Sequence, residues 1–169
     1  MKEYRVDSNN KKVFCLTQNN KLIGELKYNN WFSFKSDITL FNNSKFNIES
    51  NDIFGSRMDV KENERLLFCI ETDWNNNIII HASFDEINQE YIFKKFSILN
   101  NIYVLLNSDE LELLVLRPDF KWKSFNYDYN IVSTENFERL KYKDLMLLTI
   151  IHCANYNMSM ANTTNFALV

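Results

Sequence analysis

The sequence predicts a mainly β fold: an antiparallel barrel of about twelve strands closed around a hydrophobic C-terminal α-helix, in one domain over residues 1–169. Three observations carry the expectation. Asparagine clusters recur at short intervals, the runs between them are apolar or alternate, and the last long apolar stretch loses the period of two. That last stretch is apolar on every side, so it needs a shell around it.

Doublets stand at Asn9-Asn10, Asn19-Asn20, Asn29-Asn30, Asn42-Asn43 and Asn100-Asn101, with a triplet at Asn75-Asn76-Asn77. Asparagine tolerates left-handed backbone angles and bonds its own main chain, so it makes turns where glycine would otherwise serve. Between these signals the expected strands are Val13 to Gln18, Lys21 to Tyr28, Trp31 to Phe34, Asp37 to Phe41, Lys45 to Ser50, Arg57 to Lys61 and Arg65 to Thr72. They continue with Asn77 to Phe84, Glu90 to Ser97, Ile102 to Asn107, Leu111 to Leu116, and Phe120 to Ser133 as one strand or two. Leu22, Gly24 and Leu26 oppose Ile23, Glu25 and Lys27, which puts one face in and one out. Runs such as Leu66 to Ile70 and Ile78 to Ile80 are apolar on both faces and call for cover on both sides.

From Asp144 to Tyr156 the chain has neither Gly nor Pro, and it reads as a helix, capped by Asp144 or begun near Asn136. A bilayer span needs about 20 mostly apolar residues, and Asp144, His152, Asn155 and Asn157 interrupt this one, so no transmembrane segment is expected. A barrel of eleven or twelve strands is wide enough to hold a helix. The helix is therefore expected to be the core of the barrel.

With 46% hydrophobic and 15% aromatic residues but only two Gly and one Pro, the chain is neither disordered nor collagen-like. Gly24 and Gly55 build no GxGxxG, Walker or GxSxG motif. Lys and Arg total 19 against 22 Asp and Glu, with no block of one sign, so nucleic-acid binding is not expected. Cys15, Cys69 and Cys153 are odd in number and lie in apolar runs, which fits reduced thiols in a cytoplasmic protein. The N-terminus has no apolar region of the kind a secretory signal needs.

The order of elements resembles the tubby C-terminal-like superfamily, in particular its LURP-one-related and phospholipid scramblase-like group. The residues that carry the resemblance are the strands Tyr91 to Phe96 and Ile102 to Asn107, the segment Leu111 to Leu116, Tyr127 to Val132, and the helix opening Asp144-Leu145-Met146-Leu147-Leu148. The turns depart from that group in using Asn for Gly. The resemblance implies a twelve-stranded barrel threaded by a hydrophobic helix, and a non-enzymatic binding or scaffold module; founding members bind phosphoinositide head groups through basic residues.

For such an anionic lipid head group or other acidic ligand, the expected ligand-binding residues are Arg117, Lys121 and Lys123, with Lys94 and Lys95 second. Arg offers a bidentate fork and Lys a point charge, though Lys-x-Lys is also common on solvated strand faces. An inhibitor- or immunity-type module that binds a protein partner is one alternative, and an enzyme with a pocket at the barrel mouth is another. No nucleophile, base and orienter can be proposed together, so no catalytic residue is named. His81, His152 and the cysteines lack the spacing of CxxC or HExxH and are read as core, with no metal and no cofactor expected. Asp85-Glu86 and Asp109-Glu110 are read as turn residues, and Trp31, Trp74 and Trp122 as core aromatics.

Overall fold

The computed structural model describes residues 1–10, 12–30, 34–51, 56–84, 87–97, 101–122 and 126–166. Twelve strands run in order as β1 Lys2–Asn10, β2 Val13–Gln18, β3 Lys21–Asn30, β4 Lys35–Leu40, β5 Lys45–Ser50 and β6 Arg57–Glu62, then β7 Arg65–Thr72, β8 Ile78–Phe84, β9 Ile87–Ser97, β10 Ile102–Asn107, β11 Glu112–Lys121 and β12 Asn126–Ser133. Each pairs antiparallel with its sequence neighbours, and β1 closes the barrel on β12 from Lys2↔Ser133 to Val6↔Tyr129. Two helices follow, α1 Glu135–Glu138 and α2 Lys143–Phe166.

Asparagine clusters sit at the turns after β2, β4, β7 and β9, while Asn9-Asn10 and Asn29-Asn30 lie within the ends of β1 and β3. Asn19 and Asn20 both have positive φ, 49° and 60°, the pair of left-handed residues that a two-residue hairpin with a type I′ turn requires. Asn43, Asn76 and Asn101 supply the same conformation at three further connections, and Asn63 does so at the β6–β7 turn. Side chains finish the longer turns. Asp73 Oδ1 accepts from the N–H groups of Asn75 and Asn77 at 2.8 Å each, and Asn107 Oδ1 accepts from those of Asp109 and Leu111 at 3.1 and 2.8 Å.

Two elements differ from the sequence expectation, and a third falls mostly outside the described residues. β1 was not foreseen, although it alternates Tyr4, Val6 and Ser8 inward with Glu3, Arg5 and Asp7 outward. The expected strand Trp31 to Phe34 falls mostly outside the described residues, and Phe34 itself lies in a turn at φ 52°. β11 runs straight through Pro118 instead of breaking there. Its pairing with β10 ends at Tyr103↔Leu116, so the proline sits where a missing N–H costs no ladder bond on that side.

The helix fills the interior. Every residue of α2 from Leu145 to Tyr156 is buried, against a wall that includes Val6, Leu16, Leu26, Ile38, Ile48 and Val60 at 0% exposure. The helix begins at Lys143 because residues 139–142 turn the chain between α1 and α2. α1 is held by Thr134, whose Oγ1 accepts from Phe137 N–H at 3.4 Å and donates to the Leu113 carbonyl at 3.0 Å. Glu138 then accepts from Tyr4 Oη at 2.7 Å and Ser133 Oγ at 2.6 Å, and pairs with Lys2 Nζ at 2.9 Å. Burial pushes the Glu138 carboxyl up, but the bonds from Ser133, Lys2 and Tyr4 outweigh it and hold it down at about 2. Among the described residues, no helix is long and apolar enough to cross a membrane.

Candidate functional site

A few polar groups of α2 meet the barrel wall. His152 Nδ1 lies 3.3 Å from Ser36 Oγ on β4, its Nε2 lies 3.3 Å from Met58 Sδ on β6, and its ring stacks on Tyr28 at 5.5 Å between centroids. One turn on, Asn155 Oδ1 accepts from Tyr129 Oη at 2.5 Å, while its Nδ2 donates to Tyr28 Oη at 3.1 Å. His152 and Asn155 are three apart and so share a face of the helix. Burial drives the His152 imidazole down to about 3, and burial first of all pushes the Tyr28 and Tyr129 hydroxyls far up. These groups are neutral and enclosed. They fix the rotation and depth of α2 in the barrel rather than meet a solute, the registering use of buried polar groups.

The expected basic residues do not converge. Arg117 and Lys121 share the outer face of β11 four residues apart, which is about 13 Å along a strand. Lys94 stands on the outer face of β9, opposite Val104, and Lys95 lies beside a bulge whose extra residue is Phe96, since Ile102 faces Ser97 and Tyr103 faces Lys95. Arg117 and Lys95 are exposed and Lys94 is half-buried. Lys123 lies outside the described residues, as do Asp85 and Glu86.

Lys121 is engaged. Its Nζ pairs with Asp128 Oδ2 at 2.7 Å and also reaches the Ser8 carbonyl at 3.4 Å, while Asp128 Oδ1 accepts from Ser8 N–H at 2.7 Å and Ser8 Oγ at 2.9 Å. The β1–β12 ladder ends at Val6↔Tyr129, so the Asp128 carboxylate takes over where main-chain pairing stops. Burial raises the Asp128 carboxyl, but Lys121 and the two bonds from Ser8 outweigh it and hold it below the usual range. No residue pattern signals this clamp, because Ser8 lies 113 positions from Lys121 and 120 from Asp128 in the chain.

Three expectations about side-chain burial need correction, the first being Cys15, which is half-buried and outside the core cluster between inward Phe14 and Leu16. His81 is not core: its side chain is 43% exposed, on the outer face of β8. Trp74 and Trp122 are exposed as well, because they sit just beyond the ends of β7 and β11 instead of along the barrel wall. Trp31 lies outside the described residues. Odd-numbered strands all finish at one end of an antiparallel meander, so Trp74, Trp122 and the bulged Phe96 mark that end, together with Lys94, Lys95 and Lys121. Of the four exposed aromatic residues described, only Phe41 lies at the other end.

Elsewhere on the surface, a groove of about 390 Å³ beside the β1–β12 seam is lined by Tyr4, Arg5, Thr17, Asn20, Asn130 and Ile131. Nothing in that lining pairs a nucleophile with a base. Comparison with protein-family profiles, with curated proteins and with solved structures finds no match to this chain.

Proposed function

We propose that the chain is a non-enzymatic, tubby-like binding or scaffold module that meets an anionic lipid head group, or another acidic ligand of the same chemistry, at the end of the barrel where the odd-numbered strands finish. The observation that supports it is the placement of exposed Trp74, Phe96 and Trp122 toward one end of the barrel, the end to which β9 also brings Lys94 and Lys95. Indole rings favour the head-group layer of a membrane and lysines are drawn to its negative surface. Arg117 extends the basic surface down β11.

Co-sedimentation of the full chain with vesicles containing phosphatidylserine and phosphoinositide, at low and at physiological ionic strength, tests this. Binding should weaken with salt, and should weaken again in Lys94→Ala/Lys95→Ala and in Trp122→Ser. Absence of binding at low salt overturns the lipid reading. A protein-interaction module of inhibitor or immunity type is favoured by one other feature: Val104 and Leu106 are buried on the outer face and are not part of the core cluster. Half-buried Ile92, Val115 and Val132 stand beside them on the outer face, and these three are the aliphatic area left open to a partner.

A further inference from the structure

Three valines from adjacent strands stand in one row on the outer face of the barrel. Val104 on β10 faces Val115 on β11, and Val115 faces Val132 on β12. Val115 and Val132 are half-buried, while Val104 is buried yet lies apart from the hydrophobic core. Solvent therefore meets an aliphatic strip in the middle of this face.

Opposite charges stand at equal distances on either side of the strip. Arg117 is two positions beyond Val115 along β11 and faces Asn130. On the other side a bulge at Leu113 changes the alternation: Leu105 faces Leu114, but Leu106 faces Glu112. Glu112 therefore stands on the outer face beside Leu106, two ladder positions from Val115 in the opposite direction. Glu112 and Arg117 are both exposed, and neither makes an ion pair among the described residues. Two other outward cations nearby are already held, Arg5 by Asp7 and Lys121 by Asp128.

We propose that this face joins two copies of the chain in a reversible dimer. A two-fold axis lying across the strands, along the valine row, sets Val115 on Val115 and exchanges the two halves of β11. Glu112 of each copy then faces Arg117 of the other, which makes two ion pairs around an aliphatic centre, a self-complementary contact. An axis along β11 would instead set Glu112 on Glu112 and Arg117 on Arg117, so charge selects the first. Lys94 and Glu3 end the row two strands out on either side, where two convex barrels part. Facing sheets pack about 10 Å apart, a gap that a glutamate and an arginine span together. Three strands about 4.8 Å apart and five positions about 3.4 Å apart make a small face, in the class of weak complexes that bury less than about 1,200 Å².

Sedimentation velocity of the full chain from micromolar to millimolar concentration, at low and at high salt, tests the dimer. The sedimentation coefficient should rise with concentration toward that of two copies, and less so at high salt. Arg117→Glu alone and Glu112→Arg alone should each weaken self-association by at least about tenfold. An equimolar mixture of the two should associate, because each glutamate of the first variant then faces an arginine of the second. Urea unfolding confirms that each variant is folded; should either fail to fold, Arg117→Ala and Glu112→Ala carry the test through lost affinity. The measurement contains no vesicles, so its outcome is separate from that of the membrane reading. A chain that stays monomeric at millimolar concentration in low salt, a self-association unchanged in Arg117→Glu, or two charge variants that do not associate on mixing overturns the dimer.

Discussion

Leu148 Cδ1 of the central helix lies 2.8 Å from the point where a Cβ on Gly24 would fall. The wall strand β3 has room for the helix at this level only because residue 24 carries no side chain. The Thr39 carbonyl oxygen, 2.9 Å from the same point, closes the space from β4.

Gly24→Ala should therefore destabilise the protein, although replacing glycine in a strand by alanine ordinarily helps through the unfolded chain. Leu148 can turn aside, but the backbone oxygen of Thr39 cannot without shifting a strand. The expected loss is about 1 to 3 kcal/mol by urea unfolding. Adding Leu148→Ala should recover only part of it, because the Thr39 contact remains.

Acid should destabilise the barrel through His152. Its folded pKa of about 3 lies below the ordinary 6.5, so between those values the unfolded chain binds a proton that the folded one refuses. The stability of the neutral, buried form is complete above pH 6.5 and falls as the pH drops toward 3, by about 1.4 kcal/mol per pH unit once well below 6.5. Glu138, held at about 2 against an ordinary 4.5, adds a loss of the same sign below pH 4.5. Urea midpoints at pH 7.5 and 5.5 should differ in the native chain and much less in His152→Gln. The His152 ring resonances should show no titration above pH 4.

The Tyr129–Asn155 contact should behave as a buried hydrogen bond. Tyr129→Phe removes the donor to Asn155 Oδ1 and should cost about 1 to 2 kcal/mol; Asn155→Ala, which strips a bond from two fully buried tyrosines, should cost more. A double-mutant cycle should give a coupling above about 0.5 kcal/mol.

Lys121→Ala should lower stability whether or not a ligand is present. It leaves Asp128, 6% exposed, without its cation where the β1–β12 ladder ends. The loss should be about 1 to 2 kcal/mol by thermal or urea unfolding, less than for a fully enclosed pair because the ammonium is 38% exposed. Any effect of this substitution on vesicle binding must be compared with Asp128→Asn, which breaks the same clamp and keeps the positive charge.

Local chemistry made the barrel legible in the sequence. Six of the eight non-glycine residues with positive φ among the described residues are asparagines, so counting asparagine clusters located the turns after β2, β4, β7 and β9. Twelve strands are present although β1 was missed, and the expected strand Trp31 to Phe34 lies mostly outside the described residues. The all-round apolar run of α2 pointed to enclosure, and Leu145 to Tyr156 are enclosed. The surface was less legible because its chemistry depends on register. Lys121 meets Asp128 through strand pairing and Ser8 through barrel closure, and Glu112 reaches the outer face beside Leu106 only through the bulge between β10 and β11. Spacing along the chain carries none of that.

The enclosed helix is most directly tested by removing it. A chain ending at Tyr142 keeps all twelve strands and loses α2. It should show no cooperative urea transition and should be aggregated or molten, because the inward faces of the strands would have nothing to pack against. A soluble, monomeric 142-residue chain with cooperative unfolding close to that of the full protein would contradict the claim that the helix is the core of the barrel.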